Sequence, residues 1–245
     1  MGVYKAEGVV LRRRVLGEAD RVITFYTREH GKVDAAARGV RRGTSRLAGR
    51  LEPFTHLRLL LAHGRTLDVV AQAEVVAALA PLRTDLHRFG LAALMGELLE
   101  AAVPEREALP ALFDRFVAAL HLVAEEDAPA GALWFALQVV SLAGFEPHLT
   151  GCARCGRSPG GGMRWSHALG GVVCPACAGR DPQALPLRPE EAAALSRLLA
   201  APPAAVPAAA PPRPERLLDL LRGYAEHRLE VRLRSPAVIG RFPPP

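Results

Sequence analysis

The chain has 245 residues and half of them are hydrophobic, which is enough to bury the cores of roughly two or three small domains. It has no run of eighteen apolar residues and no secretory leader pattern, so we expect a cytoplasmic protein rather than a membrane or exported one. The net charge is +6, but residues 1–65 hold 14 Lys and Arg against 6 Asp and Glu, and the remainder is slightly acidic. A local excess of positive charge is typical of proteins that bind polyanions.

The first quarter of the chain predicts strands. Segments rich in β-branched and aromatic residues alternate with turns that contain Gly31 and Gly64, and no helical period is present. The five predicted strands span residues 9–14, 21–27, 32–40, 54–61 and 66–76. Five strands at hairpin spacing favour a small closed or partly open barrel. Residues 41–50, between the third and fourth strands, are rich in Gly, Ser, Thr and Arg, and we expect a basic, mobile loop there.

From residue 79 onwards the pattern becomes helical. Apolar residues recur at helical spacing in residues 109–120, whereas residues 133–143 are apolar on nearly every side, which indicates a buried helix that ends at Gly144. Further helices are predicted at residues 82–103, 189–201 and 216–233, and the Ala/Pro-rich residues 202–212 indicate a linker. The predicted fold class is α+β. A barrel domain spans residues 1–78, and a helical domain spans residues 79–150 and 181–245, the latter with a C-terminal tail.

The four cysteines form two Cys-x-x-Cys pairs with eighteen residues between them: Cys152, Cys155, Cys174 and Cys177. Two intervening residues let both thiolates of a pair face one tetrahedral ion, and Gly156 permits the sharp turn that this requires. The residues between the pairs, which include Gly160 and Trp165, predict a short hairpin that returns the chain to the ion. We therefore predict one structural zinc ion in a module at residues 151–180.

Three alternatives compete with structural zinc. Two disulfides are disfavoured by a reducing cytoplasm. A redox Cys-x-x-Cys is disfavoured because there are two pairs and no thioredoxin-like βαβ pattern. Catalytic zinc needs an open coordination position, and four cysteine ligands leave none. His148 and His167 lie nearby in the sequence, and surface positions explain both of them.

The basic barrel is the second candidate site. Arginines neutralise phosphates and aromatic side chains stack on bases, so such a barrel suits single-stranded nucleic acid. The alternatives are a solvated surface for the arginines and core packing for the aromatic residues, Phe25 and Phe54 above all. The candidate contacts are the arginines Arg12, Arg14, Arg38, Arg41, Arg42, Arg46 and Arg50, and the aromatic residues Tyr4, Phe25, Tyr26 and Phe54.

Motifs for catalysis are not found. The sequence has neither a Gly-x-x-x-x-Gly-Lys-Ser/Thr loop nor a Gly-x-Ser-x-Gly elbow, and the carboxylates Glu18, Asp20 and Asp34 do not support a metal-dependent nuclease. We predict a binding protein, not an enzyme, with no small-molecule substrate. An RNA-binding or ribosome-associated protein stays open as an alternative to a DNA-binding one, because a basic barrel and a zinc ribbon suit either role.

Five stretches, in order, resemble the bacterial recombination mediator family RecO. They are EGVVL and GEAD at residues 7–11 and 17–20, EHGKV and ARGVR at 29–33 and 37–41, LEPF at 51–54, LAGFEPHL and CARCG at 142–149 and 152–156, and Tyr224 with Ser235. The resemblance covers nearly the whole chain. It implies an N-terminal barrel of the oligonucleotide-binding (OB) type, followed by a helical domain that carries a zinc-binding module.

The resemblance also implies a role in recombinational repair. Members bind single- and double-stranded DNA, anneal complementary strands and, with RecR, help to load RecA onto DNA coated by single-strand-binding protein (SSB). By position, Arg38, Arg41 and Arg42 match the basic stretch that follows the family's third strand, so the resemblance assigns them to DNA. The four cysteines match the zinc ligands of many members. A cytoplasmic protein associated with the nucleoid is implied.

One departure from the family concerns the acidic tail of SSB. In some members basic residues of the helical domain bind this tail, but residues 128–145 contain no Lys, Arg or His. An SSB contact would therefore either be weak here or use Arg115 and His121 on the preceding helix.

Overall fold

The N-terminal strands close into a small barrel. The structure is a computed structural model, and it describes residues 2–125, 128–158 and 162–235. Alternation of apolar and polar residues gives each strand one face for the barrel interior. The strands are β1 (Val3–Leu16), β2 (Asp20–Thr27), β3 (Gly31–Ala37), β4 (His56–Ala62) and β5 (Asp68–Ala77).

The barrel closes in the strand order β1-β2-β3-β5-β4. Neighbouring strands are antiparallel except β3 and β5, which pair in parallel over two residues of each strand. Ile23, Phe25 and Leu57 are fully buried in its interior. A β-bulge between Val10 and Arg12 shifts the register of β1 on β2. The structure thus confirms the predicted five-stranded barrel.

Helices dominate the rest of the chain. α2 begins where the Asp85 carboxylate accepts the backbone N–H groups of His87 and Arg88, at 2.8 and 3.1 Å. The helices are α1 (Pro81–Thr84), α2 (Leu86–Ala102), α3 (Pro110–Glu125), α4 (Ala128–Leu142), α5 (Pro175–Ala178), α6 (Pro189–Ala200), α7 (Val206–Ala209) and α8 (Pro214–Leu229). Among the described residues, none of these helices has both the length and the apolarity needed to cross a bilayer.

The helical region confirms one prediction and corrects another. α4 is buried on nearly all sides, as its composition predicts, and the chain leaves it through Gly144 with φ +83°. The expected linker at 202–212 is wrong, because a 3₁₀ turn at Pro203–Ala205 leads directly into α7. Val206 is fully buried in the helical core, and this contact orders the segment despite its prolines.

The outer face of the barrel packs directly on the helices. Val9, Leu11 and Tyr26 belong to the same hydrophobic core as α2, α3 and α4. Lys32 is almost fully buried beside them; its Nζ donates to the carbonyl of Glu100 at 3.0 Å and lies 3.2 Å from the Glu105 carboxylate. A buried ammonium needs such partners. These contacts fix the barrel on the helical part of the chain.

Gly31 allows the barrel to approach the α2–α3 connection closely. Its φ is +63°, and a Cβ atom here would overlap the backbone of Glu107. Gly17 has a similar φ of +61° but open space around it.

We expect Gly17→Ala to lower the free energy of unfolding by about 1–2 kcal/mol, the cost of a left-handed backbone, and Gly31→Ala to lower it further. Denaturant titrations measure both losses. Equal losses would show that Gly31 does not lie close to the backbone of Glu107.

Candidate nucleic-acid interface and metal centre

The segment after β3 is anchored to the barrel. We call residues 38–50 the arginine loop. Its first turn is held where the Asp20 carboxylate accepts the backbone N–H of Gly39 at 2.7 Å. Leu47 packs against the barrel core from within the loop, and Leu51, which follows it, is buried there. These apolar anchors and a series of turns hold the loop against the barrel core, while its mobility stays a prediction.

The arginines on β1 face acidic partners. Arg12 Nε lies 3.4 Å from the Glu100 carboxylate, and Arg14 Nη2 donates to the Asp34 carboxylate at 2.5 Å. Burial raises the pKa of Glu100, although Arg12 opposes this effect. Both arginines are more than half exposed, but their charge is partly neutralised at short range.

The arginines on the loop are arranged differently. Arg41 donates to the carbonyl of Gly17 at 3.3 Å, and Arg50 donates to the carbonyl of Ala73 at 2.9 Å. Within the described part of the chain, none of the loop arginines forms an ion pair with a carboxylate. Their positive charge thus faces solvent. All five are exposed: Arg38, Arg41, Arg42, Arg46 and Arg50.

Two concave surfaces flank the arginine loop. Arg41 and Arg42 line a cavity of about 330 Å³ at the end of the barrel, which we call the mouth cavity. Arg46 and Arg50 line a wider groove of about 790 Å³, together with residues of β1, β4 and β5. The structure therefore divides four of the loop arginines between two surfaces, while Arg12 and Arg14 on β1 are paired with carboxylates.

Two further arginines line the mouth cavity, and the sequence reasoning missed both. Arg13 pairs across the sheet with Ile23, whose side chain faces the barrel interior. Arg21 lies two residues before Ile23 on β2, so its side chain is on the same face of the strand, nearer the end of the barrel. Without the bulge at Val10, simple alternation would turn Arg13 outward, so the bulge is what places it at the mouth.

The predicted stacking residues are mostly in the core. Phe25, Tyr26 and Phe54 are buried, as the core-packing explanation requires, and cannot receive a base without unfolding. Tyr4 is half-buried, and its ring stacks on His63 at a centroid distance of 4.5 Å. The aromatic part of the predicted interface is thus corrected. Base stacking at the loop would have to use guanidinium planes instead.

The four cysteine sulfurs converge. All four Sγ atoms lie within 4.8 Å of one another, and those of Cys155 and Cys174 are 3.9 Å apart. A tetrahedral site with metal–sulfur bonds of about 2.3 Å requires sulfurs about 3.8 Å apart. Gly156 makes the turn around the first pair with φ +72°, and its N–H donates to the carbonyl of Cys152 at 2.8 Å. The cluster can therefore hold one metal ion.

The electrostatics of the cluster favour a cation. Burial opposes ionisation of Cys152, but backbone N–H groups, chiefly those of Cys174 and Cys155, point at its sulfur and lower its pKa to about 6. Hydrogen bonds with the neighbouring thiols, Cys174 above all, raise the pKa of Cys177 to about 12. One thiolate thus suppresses ionisation of the next, and a divalent cation is what would let all four ionise.

A hairpin joins the two cysteine pairs, as the sequence predicts. β6 (Arg164–Ser166) pairs with β7 (Gly171–Val173), and β8 (Leu185–Pro186) joins on the other side; Gly160, within the predicted hairpin, lies outside the described residues. Trp165 on β6 is fully buried, with its ring 5.3 Å from that of Tyr224 on α8. The Tyr224 hydroxyl donates to the carbonyl of Phe145 at 2.9 Å. The cysteine module is therefore packed on the helical domain.

Comparisons with known proteins agree over the whole chain. The family model for the N-terminal part of recombination protein O matches residues 1–79, and that for its C-terminal part matches residues 83–237. The DNA repair protein RecO of Pelotomaculum thermopropionicum is 38% identical over 99% of this chain and 95% of its own length. That of a Nocardioides strain is 40% identical over 98% of this chain and all of its own.

Together, the barrel, the helical region and these matches define a protein of DNA repair. The chain belongs to the RecO family. The family resemblance drawn from the five sequence stretches is thereby confirmed.

Proposed function

We propose that this protein binds single- and double-stranded DNA and anneals complementary strands. With RecR, it assists the loading of RecA onto SSB-coated DNA. The observation that carries the proposal is the arginine loop, where five exposed arginines lie on an anchored segment at the end of an OB-type barrel, and no carboxylate among the described residues is paired with them. Membership of the RecO family makes DNA the polyanion that this surface fits best.

Annealing brings two polyanions together, and the loop can lower their repulsion. Each guanidinium that replaces a counterion on a phosphate gains the free energy of releasing that ion, so affinity falls steeply with salt. Arg38, Arg41 and Arg42 form the proposed primary contact, with Arg46 and Arg50 extending it along the groove. Arg12 and Arg14 contribute less, because Glu100 and Asp34 compete with phosphate for them.

The metal in the proposed function is one structural zinc ion, held by Cys152, Cys155, Cys174 and Cys177. Four thiolates suit zinc and close its coordination shell, so its contribution is to fix the hairpin on the helical domain. We assign no bond-making or bond-breaking reaction to the chain. We propose that the chain divides into a DNA-binding domain at residues 1–78 and a helical domain that carries the cysteine module at residues 151–180. The tail from residue 236 lies outside the described residues.

The proposed SSB contact has to avoid α4. That helix is almost entirely buried and has no basic residue. The neighbouring Arg115 on α3 is half-buried, and the His121 ring nitrogen lies 3.3 Å from the Glu125 carboxylate. These two side chains are the proposed contacts for the acidic SSB tail.

The test of the proposal is strand annealing with matched DNA and RNA substrates. Complementary oligonucleotides carrying a fluorophore and a quencher report annealing as loss of fluorescence. We expect the protein to accelerate annealing of the DNA strands, more strongly at 0.05 M than at 0.2 M salt. Acceleration of RNA alone would favour the ribosome-associated alternative, and no acceleration of either would refute an annealing role.

A further inference from the structure

The two ends of the arginine loop are anchored in different ways. Its first end is held by the barrel, because the Asp20 carboxylate accepts the backbone N–H of Gly39 and the N–H of Arg41 donates to the carbonyl of Ala19 at 2.9 Å. Its second end leads into residues 51–55, which we call the exit segment and which precede β4. The exit segment begins in the barrel core but then contacts the helices.

Arg83 on α1 binds the exit segment. Its Nη1 donates to the carbonyl of Pro53 at 3.1 Å and lies 3.4 Å from the hydroxyl oxygen of Thr55, which is buried. The same nitrogen donates to the carbonyl of Ala78 at 2.7 Å, in the connection between β5 and α1. One half-buried guanidinium group therefore joins the exit segment to the chain that enters the helical region.

The backbone of Phe54 shows that the exit segment depends on these contacts. Its φ is +62°, a left-handed conformation that a bulky side chain adopts only where its surroundings hold it. Its N–H donates to the carbonyl of Val10 at 2.8 Å, beside the β-bulge of β1. Its ring lies 5.6 Å from the ring of Phe89 on α2, between centroids. The barrel and the helices thus hold this segment together.

We propose that Arg83 is a positioning residue for DNA binding: by fixing the exit segment, it orients Arg46 and Arg50 on the adjoining end of the arginine loop. The inference rests on the proposed DNA-binding function. A side chain that is already held near its binding orientation loses less conformational entropy when it contacts a phosphate. The helical region thereby raises the DNA affinity of the barrel without a DNA contact of its own at this position.

Arg88 on α2 provides a matched control. It is also half-buried, and its Nη1 also donates to backbone carbonyls, that of Val123 at 2.7 Å and that of Ala124. These carbonyls lie near the end of α3, so Arg88→Ala removes the same kind of contact within the helical region. Thermal unfolding of Arg83→Ala and Arg88→Ala checks that both variants are folded at the temperature of the assay.

The first measurement compares the affinity of these variants for a labelled oligo(dT) at 0.05 M salt, by fluorescence anisotropy. Because two side chains must then be ordered on binding, we expect Arg83→Ala to bind roughly fivefold more weakly than the wild type. Arg88→Ala should bind as the wild type does. Hydrogen exchange of residues 46–55, followed by mass spectrometry, should be faster in Arg83→Ala and unchanged in Arg88→Ala.

The second measurement asks whether Arg83 acts through the two loop arginines. The double variant Arg46→Ala/Arg50→Ala should lose more affinity than Arg83→Ala does, since both phosphate contacts are removed. Adding Arg83→Ala to it should cause no further loss, because the side chains that Arg83 orients are gone. A purely structural role, or a direct contact between Arg83 and a phosphate, would lower the affinity by the same factor in both backgrounds.

That equal loss in both backgrounds would overturn the inference. So would a folded Arg83→Ala variant with wild-type affinity or with unchanged exchange in residues 46–55, or an Arg88→Ala variant that loses as much affinity as Arg83→Ala. None of these outcomes would touch the proposed DNA-binding function. That function fails separately, if the wild type does not bind oligo(dT) at low salt.

Discussion

Replacing Arg38, Arg41 and Arg42 together with alanine should weaken binding of single-stranded DNA by roughly 50-fold at 0.15 M salt and by several hundredfold at 0.05 M. The estimate assumes that each guanidinium neutralises one phosphate, which contributes about 0.7 to the slope of log affinity against log salt. The slope should therefore become shallower by about 2. Fluorescence anisotropy titrations of a labelled oligonucleotide over a range of salt concentrations measure both quantities.

The matched control uses the arginines that have carboxylate partners. Arg12 and Arg14 lie on the same barrel and are also exposed, but Glu100 and Asp34 hold them. Their double replacement with alanine should change the slope by clearly less than the loop variant does. If the two variants lost affinity equally, general charge rather than the arginine loop would account for binding, and the assignment of the loop would be wrong.

Removing the metal should have the second large effect, on stability rather than on DNA binding. A ligand present at a thousand times its dissociation constant stabilises the folded state by about 4 kcal/mol. For a chain of this length that corresponds to a fall in Tm of roughly 10 °C on treatment with a chelator. Cys152→Ser should produce a similar fall because Cys152 is a buried member of the cluster. Differential scanning calorimetry measures the shift.

The control for the cysteine substitution is Ser158→Ala, an exposed position in the same loop, which should leave Tm unchanged. Native mass spectrometry of the wild type should show one zinc ion per chain and of Cys152→Ser none. A different metal in the native protein would correct the assignment of zinc but not the site. A fully folded, equally stable protein without any metal would contradict a structural role.

The architecture could be predicted from the sequence because its signals are local. Two Cys-x-x-Cys pairs around a hairpin predicted the convergence of four sulfurs, since each pair fixes its own geometry. The periodicity of residues 109–120 likewise predicted α3. The boundaries moved by a few residues where capping groups such as Asp85 decided them.

The detail of the DNA surface could not be predicted, because it depends on contacts distant in the sequence. The bulge after Val10 reverses which arginines of β1 face the barrel end, and no residue in β1 signals it. Whether Phe54 is available for stacking depends on Phe89 of α2, 5.6 Å away between ring centroids. Whether Arg14 is free depends on Asp34 on another strand. Charge clustering indicates where the proposed interface lies, whereas tertiary pairing decides which of its arginines are available.

The central claim is that the arginine loop brings complementary strands together. The most direct measurement is the rate of annealing of two complementary, SSB-coated DNA strands by the wild type and by the variant that lacks Arg38, Arg41 and Arg42. We expect the wild type to accelerate annealing and the folded variant to lose most of that acceleration at 0.05 M salt. A variant that anneals the strands as fast as the wild type would contradict the account.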